Sequence, residues 1–285
     1  MNISLSLFKN LIRAVRTSEE LNNIIKYSEY GETYLTHMLH NEVFYLRKLS
    51  NNEYKKRHLY EEIITNHQIE EFDVFKTAIS KLNHMSFNEL FVQKVQTGMY
   101  NYVIPDISSY KTVNLDYLIN AGMLFQNTYC NYKMPQAKLL YAEVFSNAFL
   151  ASNSSNNKFT TLISQAIFSN YDEFVKMITD KNNFIDFYLQ LVIAQNKKNL
   201  ERIKNTEELM NKNKEVLSRY DKKISDYIYK HSMFSISDFV KEVEISYNTG
   251  KKYLRELVEL EILKSVKVGK HNAFIYQELY HVWNH

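Results

Sequence analysis

The chain opens on a helical pattern. Leu7, Phe8, Leu11, Ile12 and Val15 share one helical face while Lys9, Arg13 and Arg16 turn away, as in a first helix with one side in a core and the other in solvent. An interfacial membrane helix carries the same pattern; the core reading is preferred because any half-buried helix shows it. From Ser18 to about Met99 the helical patterning continues, with charge-rich breaks near Ser50 to Lys56 and Thr65 to Glu71. Gly98 to Thr112, containing Pro105, reads as an irregular connection. Pro135 fits the first turn of another helix, whose LLYAEVFSNAFL continuation is apolar along one face. The SNSSNN tract, Ser152 to Asn157, then reads as an exposed connector. Phe184, Phe187, Leu191 and Ala194 form a later stripe, expected to lie inward on the helix that carries Leu139, Leu140 and Val144.

Near Val216 the rhythm changes. Ile224, Tyr227 and Ile228, followed by Met233 and Phe234, predict a helix ending in a short turn, and Ser235 or Ser237 can cap a second short helix in SISDFVKEVEI. After a turn at Ser246 to Asn248, the spacing of Tyr253, Leu254, Leu257, Val258 and Ile262 predicts a third helix. Lys251, Lys252 and Arg255 lie near its exposed amino-terminal half. KSVKV and NAFIY predict two strands joined through Gly269, Lys270 and His271. Helix, helix, turn, helix and a two-stranded wing is the plan of a winged helix-turn-helix.

Composition narrows the chemistry. Of 285 residues only five are glycine and two proline, which favours long helices over a turn-rich sandwich or barrel. Gly31, Gly98, Gly122, Gly250 and Gly269 are too widely separated for a Walker-type phosphate loop or a dinucleotide fingerprint. The single cysteine, Cys130, can build neither a disulfide framework nor a cysteine zinc site, and points to a reducing compartment, by default the cytoplasm. The amino end has no basic n-region or small-residue cleavage site, and no stretch approaches ~18 apolar residues, so no membrane partner is expected. A net charge of +3, from 35 basic and 32 acidic side chains, is too balanced to announce a nucleic-acid partner by itself. Between Ser246 and Ile275, however, Lys251, Lys252, Arg255, Lys264, Lys267 and Lys270 stand against only Glu256, Glu259 and Glu261. His37 and His40 lie three apart with Glu42 nearby, a spacing that puts two imidazoles on one helix face. Lacking HExxH or a further ligand, they read as ordinary histidines, and neither a metal nor a cofactor is expected.

The run YDEFVKMITDKNNFIDFYLQLVIAQNKKNLERI, Tyr171 to Ile203, followed by YNTGKKYLRELVELEILKSVKVGKHNAFIYQELY, resembles the carboxyl-terminal half of Fic family proteins. The likeness runs from near Thr161 to Trp283 and rests on a FIDFYL-like and a LRELVELEIL-like block. It implies a helical catalytic domain followed by a winged helix, and transfer of AMP or a related group to a protein hydroxyl. The family's hallmark, HxFx[DE]GNGRxxR, supplies a histidine base, a backbone phosphate cradle at a helix start, a magnesium-holding acid and charge-neutralising arginines. No such motif occurs in this sequence. Counting back from FIDFYL, the best register lays NTYCNYKMPQAKLL over it, with Asn127 in the histidine place, Tyr129 in the phenylalanine place and Lys138 in that of the second arginine. A second register lays Ala148 to Asn156 over the motif, with Ala148 replacing the histidine. Neither keeps the base, the glycines, the acid or the first arginine. The family's inhibitory motif, roughly [ST]xxxE[GN], is half echoed by SEYGET, Ser28 to Thr33, through Glu32.

The expected fold is therefore mainly α: a helical region over 1–100, a Fic-like core with a degenerate motif over 101–215, and a winged helix-turn-helix carrying a small β-hairpin over 216–285. The expected function is that of a non-catalytic Fic-like regulator binding double-stranded DNA through Lys251, Lys252, Arg255, Lys270 and His271, with a homodimer as a further option. Two alternatives stay open: a Fic-type protein adenylyltransferase with a noncanonical site, and a protein-interaction module.

Overall fold

A computed structural model of the chain describes residues 4–65, 67–95, 116–132, 137–153, 158–181, 183–268 and 271–284. The expected connection at Gly98 to Thr112, Pro135, most of the SNSSNN tract, and Gly269 with Lys270 lie outside the described residues. The chain divides into two compact units, one of 1–52 with 70–199, the other of 53–69 with 200–285.

The first unit is helical: α1 (Leu5–Tyr27), α2 (Gly31–Ser50), then, past α3 (Lys56–Ile64) of the second unit, α4 (Glu70–Leu82), α5 (Glu89–Val95), α6 (Tyr117–Asn131), α7 (Lys138–Asn153), α8 (Ser164–Ser169), α9 (Tyr171–Met177) and the start of α10 (Phe184–Leu217). Ser4 caps α1, its Oγ accepting from Leu7 N at 3.1 Å, and Asp116 does the same for α6 through Leu118 N at 2.8 Å; each satisfies an otherwise orphaned first-turn donor. The expected breaks after Ser50 and before Glu70 are present. α7 is buried on every side from Leu140 to Phe149, as an apolar helix without a polar face must be, and α6 packs along it. At Gly122 a Cβ would stand 2.8 Å from the Tyr188 ring, so the glycine sets how closely α6 approaches α10. Around it Phe125 packs on Phe184, Tyr188 and Phe174 with ring centroids 5.7 to 6.4 Å apart, distances at which aromatic pairs attract.

Two stripes need correction. Leu7 is buried and Leu11 and Val15 are partly so, but Phe8 and Ile12 are exposed, because the core takes the sector containing Leu7, Ala14 and Leu21. Phe184, Phe187 and Leu191 lie inward, whereas Ala194 is exposed and Gln195 is buried in its stead. Gln195 turns in because its Oε1 accepts from Ala166 N at 3.1 Å, satisfying an amide at the start of α8.

The second unit contains α3 (Lys56–Ile64), the remainder of α10, α11 (Lys222–Lys230), β1 (Met233–Ser235), α12 (Ile236–Val243), α13 (Tyr247–Glu259), β2 (Lys264–Val268), β3 (His271–Ile275) and α14 (Gln277–Asn284). The three strands form one antiparallel sheet in the order β1-β3-β2. The expected pair of strands is thus completed by Met233–Ser235, read from sequence as part of a turn, whose Phe234 pairs with Phe274. His271, expected in the connection, is a strand residue opposite Val268. Ser235 caps α12 and Ser246 caps α13, with Glu244 in left-handed conformation (φ 62°) turning the chain between them. At Gly250 a Cβ would meet Val240 Cγ1 at 2.3 Å, so only a glycine lets α13 cross α12 this closely. Ile64 of α3 packs with Val268 and Ala273 of the sheet. Tyr60 and Ser232 hydroxyls lie 2.7 Å apart, and Lys56 Nζ donates to the Trp283 carbonyl at 3.0 Å. The Trp283 indole N–H in turn reaches Thr206 Oγ1 at 3.1 Å.

Candidate functional site

In the second unit the exposed face of α13 holds the cationic residues. Tyr247, Asn248, Lys251, Lys252 and Arg255 are all exposed, while Gly250, Leu254 and Leu257 point inward. Lys252 and Arg255 each reach a glutamate one turn on, Lys252 Nζ to Glu256 at 3.9 Å and Arg255 Nε to Glu259 at 2.9 Å. Such exposed pairs hold their side chains only loosely. Lys267 and His271 are exposed on the hairpin; Lys270 lies outside the described residues. Two other cations of this unit are paired elsewhere, Lys223 with Glu244 at 2.6 Å and Lys230 with Glu242 at 2.7 Å. His231, whose Nε2 lies 3.4 Å away, and a hydrogen bond from Lys230 hold the Glu242 carboxyl down to about 2.

In the first unit the residues of the motif register separate. Asn127 sits on α6 beside a groove of about 430 Å³ that also takes in Cys130, Asn131, Lys181 and Ile178. Tyr129, on the next helical position but one, packs edge-to-face against Phe174 at 5.2 Å and lies under Lys138 Nζ, 4.1 Å from its ring centroid. The register thus brings Tyr129 and Lys138 together and leaves Asn127 on the groove. Among the described residues the groove offers amides, the Thr179 hydroxyl, one ammonium and a thiol whose pKa burial pushes up, and no histidine or carboxylate lines it. Residues 127–131 lie in the last turns of α6, where backbone N–H groups are spent inside the helix and the free groups are carbonyls. In the second register Ala148 is fully buried inside α7. Glu32, of the half-echoed inhibitory motif, opens α2 exposed to solvent and pairs with Lys158.

His37 is buried, and His40 packs on Phe72 at 5.3 Å; among the described residues no group of three or more histidine, cysteine, aspartate or glutamate side chains is placed to hold a metal ion. Glu42 instead turns to a constellation that the sequence hides. It accepts from the Ser164 hydroxyl and, at 3.2 Å, from Ser164 N, and the same hydroxyl lies 3.5 Å from Oε1 of Glu143 of α7. All three residues are inaccessible to solvent or nearly so. Burial raises the Glu42 carboxyl to about 7, and burial together with the Glu42 charge raises that of Glu143 well above the carboxylate range. Two buried carboxyl groups that meet at one hydroxyl, with no cation beside them among the described residues, repel when both are ionised and so hold a proton between them. No sequence signal marks Glu143, which sits among apolar residues of α7.

Residues 203–279 are similar to the family described as protein adenylyltransferase SoFic-like, C-terminal domain. The matched stretch begins in α10 and ends in α14, so it takes in the exposed cationic face of α13 and the three-stranded sheet. It relates this part of the chain to Fic-type adenylyltransferases and lies wholly outside the groove of Asn127 and the carboxyl pair. No curated protein matches the chain.

Proposed function

We propose that this is a Fic-related protein without transfer chemistry, which binds double-stranded DNA through a winged helix built from α11 to β3. The observation that carries the reading is the outward face of α13. Five consecutive outward positions, Tyr247, Asn248, Lys251, Lys252 and Arg255, contain hydrogen-bonding and cationic groups and no acid. Tyr247, Asn248, Lys251 and Lys252 occupy the amino-terminal half of the second helix of a helix-turn-helix pair, the part that reads base edges in a major groove, and Arg255 follows one turn on. The hairpin of β2 and β3 adds Lys267, Lys270 and His271 as backbone contacts, the use a wing makes of such residues. The loose pairs with Glu256 and Glu259 can be exchanged for phosphates at small cost.

If these groups neutralise about four phosphates, affinity for duplex DNA falls with salt at a log-log slope of roughly −3 to −4, and Lys252→Ala lowers the slope by about one. Fluorescence anisotropy across a salt series measures both. Absence of binding at low salt, or binding indifferent to replacing Lys251, Lys252 and Arg255 together, assigns the domain to protein contacts instead.

The transfer chemistry is expected to be missing because the sequence lacks the family's motif and the described residues of the groove beside Asn127 supply neither a base nor a phosphate cradle. Purified protein given magnesium and labelled ATP therefore leaves itself and a lysate unlabelled. Robust AMP incorporation would make it an adenylyltransferase with a noncanonical site.

A further inference from the structure

We propose that the outward face of α1 between Leu5 and Arg16 docks on an anionic lipid surface. Leu5, Phe8 and Ile12 are 69%, 50% and 53% exposed. At 100° per residue they fall in one sector about 60° wide, and Lys9, Arg13 and Arg16, all exposed, flank it within about another 80°. No acidic residue occurs before Glu19, and none of the three cations makes an ion pair among the described residues. Scattered apolar side chains on a surface are ordinary. Three on successive turns of one helix, bordered by uncompensated cations, form the two-part pattern of helices that lie in a membrane interface.

The opposite side of α1 fixes the helix in place. Leu7, Ala14 and Leu21 are buried, Asn10 Nδ2 donates to Asp186 Oδ1 at 2.9 Å, and Asn196 Nδ2 donates to Ser18 Oγ at 2.9 Å. The outward face is therefore preformed, and binding costs little ordering. Charge selects the occupant. In a symmetric antiparallel pairing of two copies about Ile12, Arg16 falls opposite the partner's Phe8, Arg13 opposite its Leu11 and Lys9 opposite its Val15, so every cation meets an apolar side chain and none meets an acid. Three side chains also supply far less than the ~800 Å² per partner of a stable dimer. An anionic bilayer satisfies the cations and accepts the apolar side chains to the depth of one helix radius.

The test uses the full chain and vesicles of phosphatidylcholine with and without about a third phosphatidylserine. Co-sedimentation is expected with the anionic vesicles only, weakening with salt. Removing one cation, as in Arg13→Ala, weakens binding about fivefold, and Phe8→Ser with Ile12→Ser weakens it tenfold or more. Because the C-terminal cations could also attract vesicles, a Phe8→Trp variant supplies a local readout: its emission shifts to the blue on anionic vesicles while buried Trp283 stays constant. Equal binding to neutral vesicles, no binding even at low salt, or an unshifted Phe8→Trp emission overturns the proposal. So does a concentration-dependent dimer that Phe8→Ser dissolves in protein indifferent to vesicles. Should the serine variants lower thermal stability, Arg13→Glu with Arg16→Glu, both fully solvent-facing changes, decides by loss or retention of anionic binding.

Discussion

Leu191→Ala is expected to lower the stability of the protein by about 2 to 5 kcal/mol. Leu191 is 2% exposed and belongs to the cluster formed by Phe125, Ala142, Phe184, Phe187, Tyr188 and Val192. The Phe125, Phe184 and Tyr188 rings of that cluster are already held against one another, so the cluster resists collapse into the space that three lost carbons leave, and the cavity cost adds to the lost transfer energy. Urea unfolding followed by circular dichroism measures the change. A midpoint equal to that of the parent protein would make this part of α10 peripheral and the first unit's architecture wrong.

The second large effect is on pH dependence. Glu42 keeps a proton in the folded protein up to about 7, whereas an unfolded glutamate releases it near 4.5. Between those values the folded state binds more protons than the unfolded one, so stability is highest at the acid end of this window and falls as pH rises through it. Glu143, raised in the same direction, extends the fall upward. Glu143→Gln keeps the shape and a hydrogen-bonding oxygen but cannot ionise. It is expected to stabilise the protein at pH 8 by roughly 1 to 3 kcal/mol and to flatten the profile between pH 5 and 8. Denaturant midpoints at the two pH values decide it; a parent protein more stable at pH 8 than at pH 5, or a glutamine variant that keeps the slope, would mean the pair is solvated and ionised.

How much of this was legible from sequence follows from what periodicity reports. It reports one face at a time, so α11, α12 and α13 and both hairpin strands could be read closely, each having a narrow apolar stripe or a clear alternation, whereas α14, Gln277–Asn284, was not read. α1 and α10 were harder for opposite reasons. α1 has more apolar residues than its core-facing sector can use, and a sequence does not say that Phe8 and Ile12 are the surplus. α10 draws Gln195 inward and leaves Ala194 outside because a backbone amide 29 residues away needs an acceptor. Glu42 and Glu143 were invisible as a pair because carboxylates default to solvent, and only the meeting of α2, α7 and α8 encloses them. At the candidate DNA-facing surface, the cationic positions of α13 could be named in advance, but their engagement with Glu256 and Glu259 depends on rotamers that spacing merely permits.

The membership of Glu53–Ile69 in the second unit has a consequence for biosynthesis. Tyr60 must wait for Ser232, 172 residues later, and Lys56 for Trp283, 227 residues later. At ribosomal rates of about 5 to 20 residues per second, Tyr60 leaves the exit tunnel roughly ten to thirty seconds before its partner. Throughout that interval the apolar side of α3, with Leu59, Tyr60 and Ile64, has nothing native to cover it. The nascent chain therefore offers a short sticky helix in the middle of an otherwise completable N-terminal unit, a natural landing place for a ribosome-associated chaperone. A gene fragment cut to the boundaries of the C-terminal family match would lack α3 altogether, and its sheet would emerge with Val268 and Ala273 uncapped by Ile64.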